Sequence, residues 1–111
     1  MGMRLVDAGE EERGVEWLSQ AVDLNPNELR LQLDLVRGLL MAGRSEEAVA
    51  LVSGLPPADP ARDVYLTQSH IQLDQPDRAR DAVLEGLARF PEDARLMGQA
   101  RDLGVSPEEN R

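Results

Sequence analysis

The sequence predicts an all-α chain built of helix-turn-helix repeats. Three observations predict it. First, two similar phrases recur 34 residues apart and end at Pro26 and Pro60. The first places Gly9, Gly14, Leu18, Ala21 and Pro26 at the same offsets as Gly43, Ala48, Val52, Leu55 and Pro60 in the second. Ala79, Val83, Gly86 and Pro91 repeat the offsets a third time in a shorter copy. A period of this length with small, apolar and proline punctuation marks a two-helix repeat. Second, apolar content is 41% but aromatics are only 3%, namely Trp17, Tyr65 and Phe90. A core of Leu, Val and Ala suits close-packed helices better than a sandwich of sheets. Third, apolar residues recur at helical spacing between the breakers.

Each element follows from local signals. Residues 3–8 read as a helical stub. Residues 10–24 read as a full helix on Val15, Leu18, Ala21, Val22 and Leu24, with Glu10, Glu11 and Glu12 suited to the positive first turn. Asn25-Pro26 ends it. Residues 27–42 come next. Leu29, Leu31, Leu33 and Leu35 alternate with period two, as in a half-buried strand. Leucine is a strong helix former without β-branching, and the run continues through Val36, Leu39, Leu40 and Met41 with no turn signal. Helix is therefore the reading. Ala42-Gly43 is a C-cap, since glycine tolerates the left-handed conformation. Ser45 is placed to N-cap a helix running to about Leu55. Pro56-Pro57-Ala58-Asp59-Pro60 breaks that helix. Residues 61–73 form the next, and Pro76 fits the first turn of another that ends near Phe90. A last helix over 93–103 stops at Gly104. Residues 105–111 read as a flexible tail.

Composition excludes several function classes. The 111 residues fit one domain with one core. Net charge is −9, and all twelve basic residues are arginine. That opposes binding to nucleic-acid phosphate or an anionic membrane, both of which need clustered cations. No cysteine is present, which removes disulfides, zinc thiolates, iron–sulfur clusters and thiol catalysis. No apolar run approaches a membrane span, so direct membrane insertion is not expected. The first residues lack the hydrophobic stretch of a signal peptide.

The repeated phrases resemble the tetratricopeptide repeat over most of residues 9–97. In the middle copy Leu35, Val36 and Leu39 fall on the family's first-helix core places, Gly43 on its turn, and Ala48, Val52 and Leu55 on its second-helix places. In the third copy these are Leu66, Thr67 and His70, then Ala79, Val83, Gly86 and Leu87. The resemblance implies a short right-handed α-solenoid of antiparallel, stacked repeats. Its parts would be a partial repeat over 1–26, repeats over 27–60 and 61–91, and a terminal helix over 93–103, all in one domain of residues 1–104. Three departures stand out. The first copy lacks about half of its first helix, Pro56-Pro57 shortens the middle one, and Asp74-Gln75-Pro76-Asp77 replaces the turn glycine of the third.

The family implies a protein-binding scaffold without enzymatic activity. Its inner groove is lined by one side of each first helix. Mapped onto this chain, that side is Arg30, Leu33, Asp34, Arg37, Leu40 and Met41, then Val64, Tyr65, Gln68, Ile71 and Gln72. The mix of apolar and polar groups suits a peptide. The Lys/Asn clamp by which some members grip a chaperone tail is absent, since Leu33, Asp34, Arg37, Ala61 and Tyr65 hold those places. The arginine-rich, lysine-free style resembles bacterial chains from high-GC genomes. It implies a place in a larger assembly such as envelope export or secretion machinery, in periplasm or cytoplasm. The alternative is an interaction module fused to a catalytic domain of thioredoxin-like or glycosyltransferase type. The partial first repeat leaves Leu5, Val6 and Trp17 as apolar surface, as expected of a segment of a longer array or, in the other reading, of an end that serves as a docking or self-association surface.

No constellation carries catalysis, a cofactor or a metal. His70 is the only histidine and falls on a core place, where a satisfied interior imidazole is expected. Glu10-Glu11-Glu12 and Glu46-Glu47 are sequence neighbours on helices and do not face each other. No base, nucleophile or oxyanion donor accompanies them. The glycines follow no strand and build no phosphate loop. The aspartates never approach a calcium-loop spacing. Trp17 is expected as a packing residue, with a partner anchor as the other reading.

Overall fold

The structure, a computed structural model, describes the backbone of residues 2–105 and the side chains of residues 11–105. Among the described residues there are six helices and no strand: α1 (Gly2–Leu24), α2 (Leu29–Met41), α3 (Ser45–Ser53), α4 (Pro60–Gln72), α5 (Pro76–Arg89) and α6 (Ala94–Asp102). The alternating leucines of 29–35 lie in α2, so leucine's helical propensity prevails over the period-two pattern. The chain divides into two compact units, Met1–Leu55 and Pro56–Arg111.

In the first unit α2 packs against both α1 and α3. Its core is aliphatic: Val15 from α1, Leu35, Val36 and Leu39 from α2, and Ala48 and Val52 from α3, joined by Leu55. Ala48 is fully buried. The small methyl at that point lets two helix backbones approach. Each buried valine or leucine contributes about 1.5–3 kcal/mol by leaving water.

One expectation is corrected here. The stub over 3–8 and the helix over 10–24 are a single 23-residue helix. Glycine permits a turn but does not force one, at a cost of about 1 kcal/mol inside a helix. Gly9 is followed by three glutamates, which are good helix formers, so the helix runs through it. Glu10, Glu11 and Glu12 therefore lie in mid-helix and not in a first turn. Glu12 accepts from Arg44 Nη1 at 3.2 Å, tying α1 to the turn that precedes α3.

In the second unit α4, α5 and α6 all pack on one another. Val83, Leu87, Leu96 and Ala100 form the core cluster, with Val64, Leu84, Phe90, Leu103 and Val105 packed against it. Caps explain the boundaries. Asp59 accepts from the Ala61 amide at 2.8 Å, with Pro60 in the first turn of α4. Asp93 accepts from the Arg95 and Leu96 amides at 3.0 and 3.1 Å. In α3 the N-cap place falls to Arg44, and Ser45 is the first helical residue.

This unit buries Thr67 and His70 where the first buries Val36 and Leu39, and adds buried Asp63 and Ser69. Asp63, Thr67 and Ser69 are fully buried, and His70 nearly so. Asp63 Oδ1 accepts from Arg89 Nη2 at 2.6 Å and from Arg62 Nη1 at 3.0 Å. Ser69 Oγ donates back to the Tyr65 carbonyl at 2.7 Å. His70 Nδ1 lies 2.9 Å from the Gln75 side-chain amide, so the ring expected from the sequence in the interior has a polar partner there.

The same turn follows α2, α4 and α6. Gly43, Asp74 and Gly104 all have positive φ, at 76, 56 and 71°. The next amide in each case donates to the carbonyl five residues back: Arg44 to Leu39 at 2.8 Å, Gln75 to His70 at 2.9 Å, and Val105 to Ala100 at 2.9 Å. This is the left-handed helix stop. Asp74 takes the glycine's place there, since a short polar side chain tolerates the left-handed region better than most. Val105, read from sequence as the start of the tail, thus belongs to a capping turn; residues 106–111 lie outside the described ones.

Candidate partner-binding surfaces

Counting back from each turn aligns the first helices. Leu35, Val36 and Leu39 stand at the same distances from Gly43 as Leu66, Thr67 and His70 from Asp74, and as Leu96, Met97 and Ala100 from Gly104. The residues expected to line a groove then occupy matching places on α2 and α4.

On α2, Arg30, Asp34, Arg37 and Met41 are exposed, whereas Leu33 and Leu40 are buried. The two leucines belong to the packing of the unit, and the accessible part of the surface is the four others. Asp34, Arg37 and Met41 also line a groove of about 620 Å³ between α1 and α2. Its far wall is Glu11, Gly14 and Leu18 of α1, and Gly38 of α2 forms the floor. A Cβ at Gly38 would stand 3.3 Å from Leu18 Cδ1 and 3.6 Å from Val15 Cγ2, so a side chain there would press on the end of Leu18. The groove is apolar below and charged at its edge, with two carboxylates and one guanidinium. Trp17 on α1 is 67% exposed and Met41 57%. Trp17 is therefore not the packing residue expected; the α1 face beside it is uncovered. The side chains of Leu5 and Val6 lie outside the described ones.

On α4, Tyr65 and Gln68 are half-buried, and Ile71 and Gln72 exposed. Val64 is packed against the core cluster, and its carbonyl accepts from Gln99 Nε2 at 3.0 Å. A smaller hollow of about 380 Å³ is lined by Pro60, Arg89, Phe90, Pro91, Glu92 and Asp93. Arg89, spent on buried Asp63, forms part of its wall. Sequence reasoning left Glu11, Gly14, Leu18 and Gly38 out of the site. The signal that could have found the groove is Gly14, which stands in the register of Ala48 and Ala79 with no side chain at all.

Electrostatics at the first unit's turn are set by one residue. Arg44 donates to both Glu47 oxygens, at 2.9 and 2.6 Å, as well as to Glu12. The hydrogen bonds from Arg44 hold the Glu47 carboxyl below its ordinary value, and the same bonds push the guanidinium up. Among the described residues, no three His, Cys, Asp or Glu side chains come together to hold a metal, and no helix is long and apolar enough to cross a membrane.

Short helices, three of them followed by left-handed stops, with small residues at helix contacts, define an all-α repeat protein. The tetratricopeptide-repeat family model matches residues 5–68, more than half of the chain, and the chain belongs to that family. Members of the family mediate protein–protein interaction, typically as non-catalytic modules. Comparison with curated proteins and with solved structures finds no match.

Proposed function

We propose that the chain is a non-enzymatic binding module that holds a protein partner on its first-helix side chains. One observation supports this above the others. The places six and nine residues before the turns at Gly43 and Asp74, Arg37 and Asp34 on α2 and Gln68 and Tyr65 on α4, stay at least partly accessible. Two unrelated pairs of side chains thus hold the same places relative to the turn of their own unit. Tyr65 and Arg37 are the side chains best suited to binding, since aromatics and arginines dominate interface hot spots. Arg37 offers a planar fork to a carboxylate of the incoming segment. The net charge of −9 repels acidic partners and favours neutral or basic ones, so binding weakens as salt rises. The lysine-free, arginine-rich composition fits a place in a larger bacterial assembly, such as envelope export or secretion machinery.

The test is a pull-down from the native lysate with Arg37→Ala and Tyr65→Ala, against exposed Glu46→Ala and Arg78→Ala as controls. Loss of the same captured band in the first two alone is expected. Equal capture by all four removes these residues as the site.

A further inference from the structure

Arg44, Arg62, Arg80, Arg89 and Arg95 each pair with a carboxylate. Arg37 does not. Among the described residues no ion pair or hydrogen bond holds its side chain, although Asp34 stands one turn before it and Glu11 across the groove. One turn after Arg37 comes Met41, which is 57% exposed and lines the same groove. Long side chains on a helix lean toward its N-terminus, over the residue four places back, so Met41 reaches over the turn that holds Arg37. The chain has no cysteine, so peroxide chemistry falls first on methionine. Of the two methionines whose side chains are described, Met97 is 47% exposed on α6, outside the groove. Met41 is the one that stands beside a residue of the proposed partner surface.

We propose that Met41 is an oxidation site that controls the Arg37 guanidinium, with a peroxide as the oxidant. The sulfur lone pair attacks one oxygen of hydrogen peroxide. The S–O bond forms as the O–O bond breaks, and sulfur gives up two electrons. The proton of the attacked oxygen passes to the departing hydroxide, which leaves as water. The product is a sulfoxide, polar where the thioether was apolar. Its oxygen accepts a hydrogen bond and stands one turn from a guanidinium with five donors. The fork that a partner's carboxylate needs is then engaged on α2 itself, and the wall of the groove at Met41 becomes polar. Oxidation thus weakens partner binding on α2. That last step rests on the reading of Arg37 as a partner contact; the oxidation and its contact with Arg37 do not.

The test treats the full chain with dilute hydrogen peroxide and follows each methionine by peptide mass spectrometry. One added oxygen at Met41 is expected, with helix content unchanged by dichroism. In nitrogen-labelled magnetic resonance spectra the Arg37 Nε–H signal is expected to shift on oxidation. In Met41→Leu, which keeps every other methionine, the same treatment is expected to leave that signal in place. In the pull-down, capture by the oxidised native chain is expected to fall about fivefold or more, and capture by treated Met41→Leu to stay as it was. Met41 left unmodified while Met97 is oxidised overturns the proposal. So does an Arg37 signal that stays put in the oxidised chain, or one that shifts equally in Met41→Leu. Arg37→Ala separates the two readings. If that variant loses capture and oxidation does not, the partner surface stands and the control by Met41 falls. If Arg37→Ala captures normally, the partner reading falls, and the Arg37 signal still decides whether the sulfoxide engages the guanidinium.

Discussion

Alanine at Gly86 and alanine at Gly14 should change stability in opposite directions. Both glycines lie inside helices, so both substitutions gain about 1 kcal/mol of helix propensity. The surroundings differ. A Cβ at Gly86 stands 2.8 Å from Asp63 Cβ and 3.1 Å from both δ carbons of Leu96, whereas at Gly14 it meets nothing within 4 Å. Carbon atoms rest about 3.5–4.0 Å apart. Neither neighbour of Gly86 gives way easily: Asp63 is fully buried and held by Arg89 and Arg62, and Leu96 is fully buried in the core cluster. Overpacking of this kind costs about 1–3 kcal/mol. Gly86→Ala is therefore neutral to destabilising by about 2 kcal/mol, and Gly14→Ala stabilising by up to about 1. Alanine at Gly14 is also what the other two repeats carry, at Ala48 and Ala79. The assay is urea unfolding followed by far-ultraviolet dichroism, comparing midpoints at unchanged slope. Equal stabilisation by both variants would refute the close approach of three helices at Gly86.

Three further outcomes are expected. Thr67→Val should stabilise by about 1 kcal/mol in the same assay, because Thr67 Oγ1 is buried without a hydrogen-bond partner and its counterpart Val36 is already valine. Asp74→Gly should stabilise by about 0.5–1 kcal/mol by relieving positive φ, while Gly43→Ala should cost about 1, read as shifts in melting temperature. The Glu47 carboxyl, held below its ordinary 4.5 by Arg44, contributes stability that is present above pH 4.5 and is lost as pH falls through the depressed value. Arg44→Ala should return its titration to about 4.5 by side-chain nuclear magnetic resonance, and an unmoved titration would count against the Arg44 pairing.

Much of the fold was legible because punctuation and residue size agree. Gly43, Pro56-Pro57, Pro60 and Pro76 each mark a boundary that backbone chemistry enforces, and Ala48 is small where two helices meet. The turn at Asp74 was legible only by counting, since its residue carries no glycine. Gly9 misled for the converse reason. A glycine allows the left-handed turn without requiring it, and the glutamates after it favour helix. The surface was less legible than the fold. Leu33 and Leu40 look like groove residues by register but are buried, because how wide a helix's covered stripe becomes depends on how its neighbours cross it. Trp17 looked like packing and is 67% exposed, because spacing alone does not say which side of a helix its neighbours cover.

The two units answer one register with different chemistry, and the difference bears on how each is specified. Val36 and Leu39 of α2 become Thr67 and His70 of α4, and the second unit adds a buried Asp63 bonded to arginines on two helices. An aliphatic core tolerates sliding and repacking, since any similar volume fills it. A buried carboxylate does not, because Asp63 loses Arg89 when α4 shifts along α5. Breaking such a pair from one side costs more than the pair contributes when intact. Asp63 therefore fixes the position of α4 on α5 more than it adds stability. That fixing matters most where the middle turn lacks glycine and the repeat is three residues short, so that spacing alone would not hold the helices in step. In the first unit the equivalent constraint comes from outside the core, through Arg44 binding Glu12 and Glu47 at the surface. Exposed pairs of this kind hold position weakly. The unit with the open helix face is thus also the one whose core specifies helix register least.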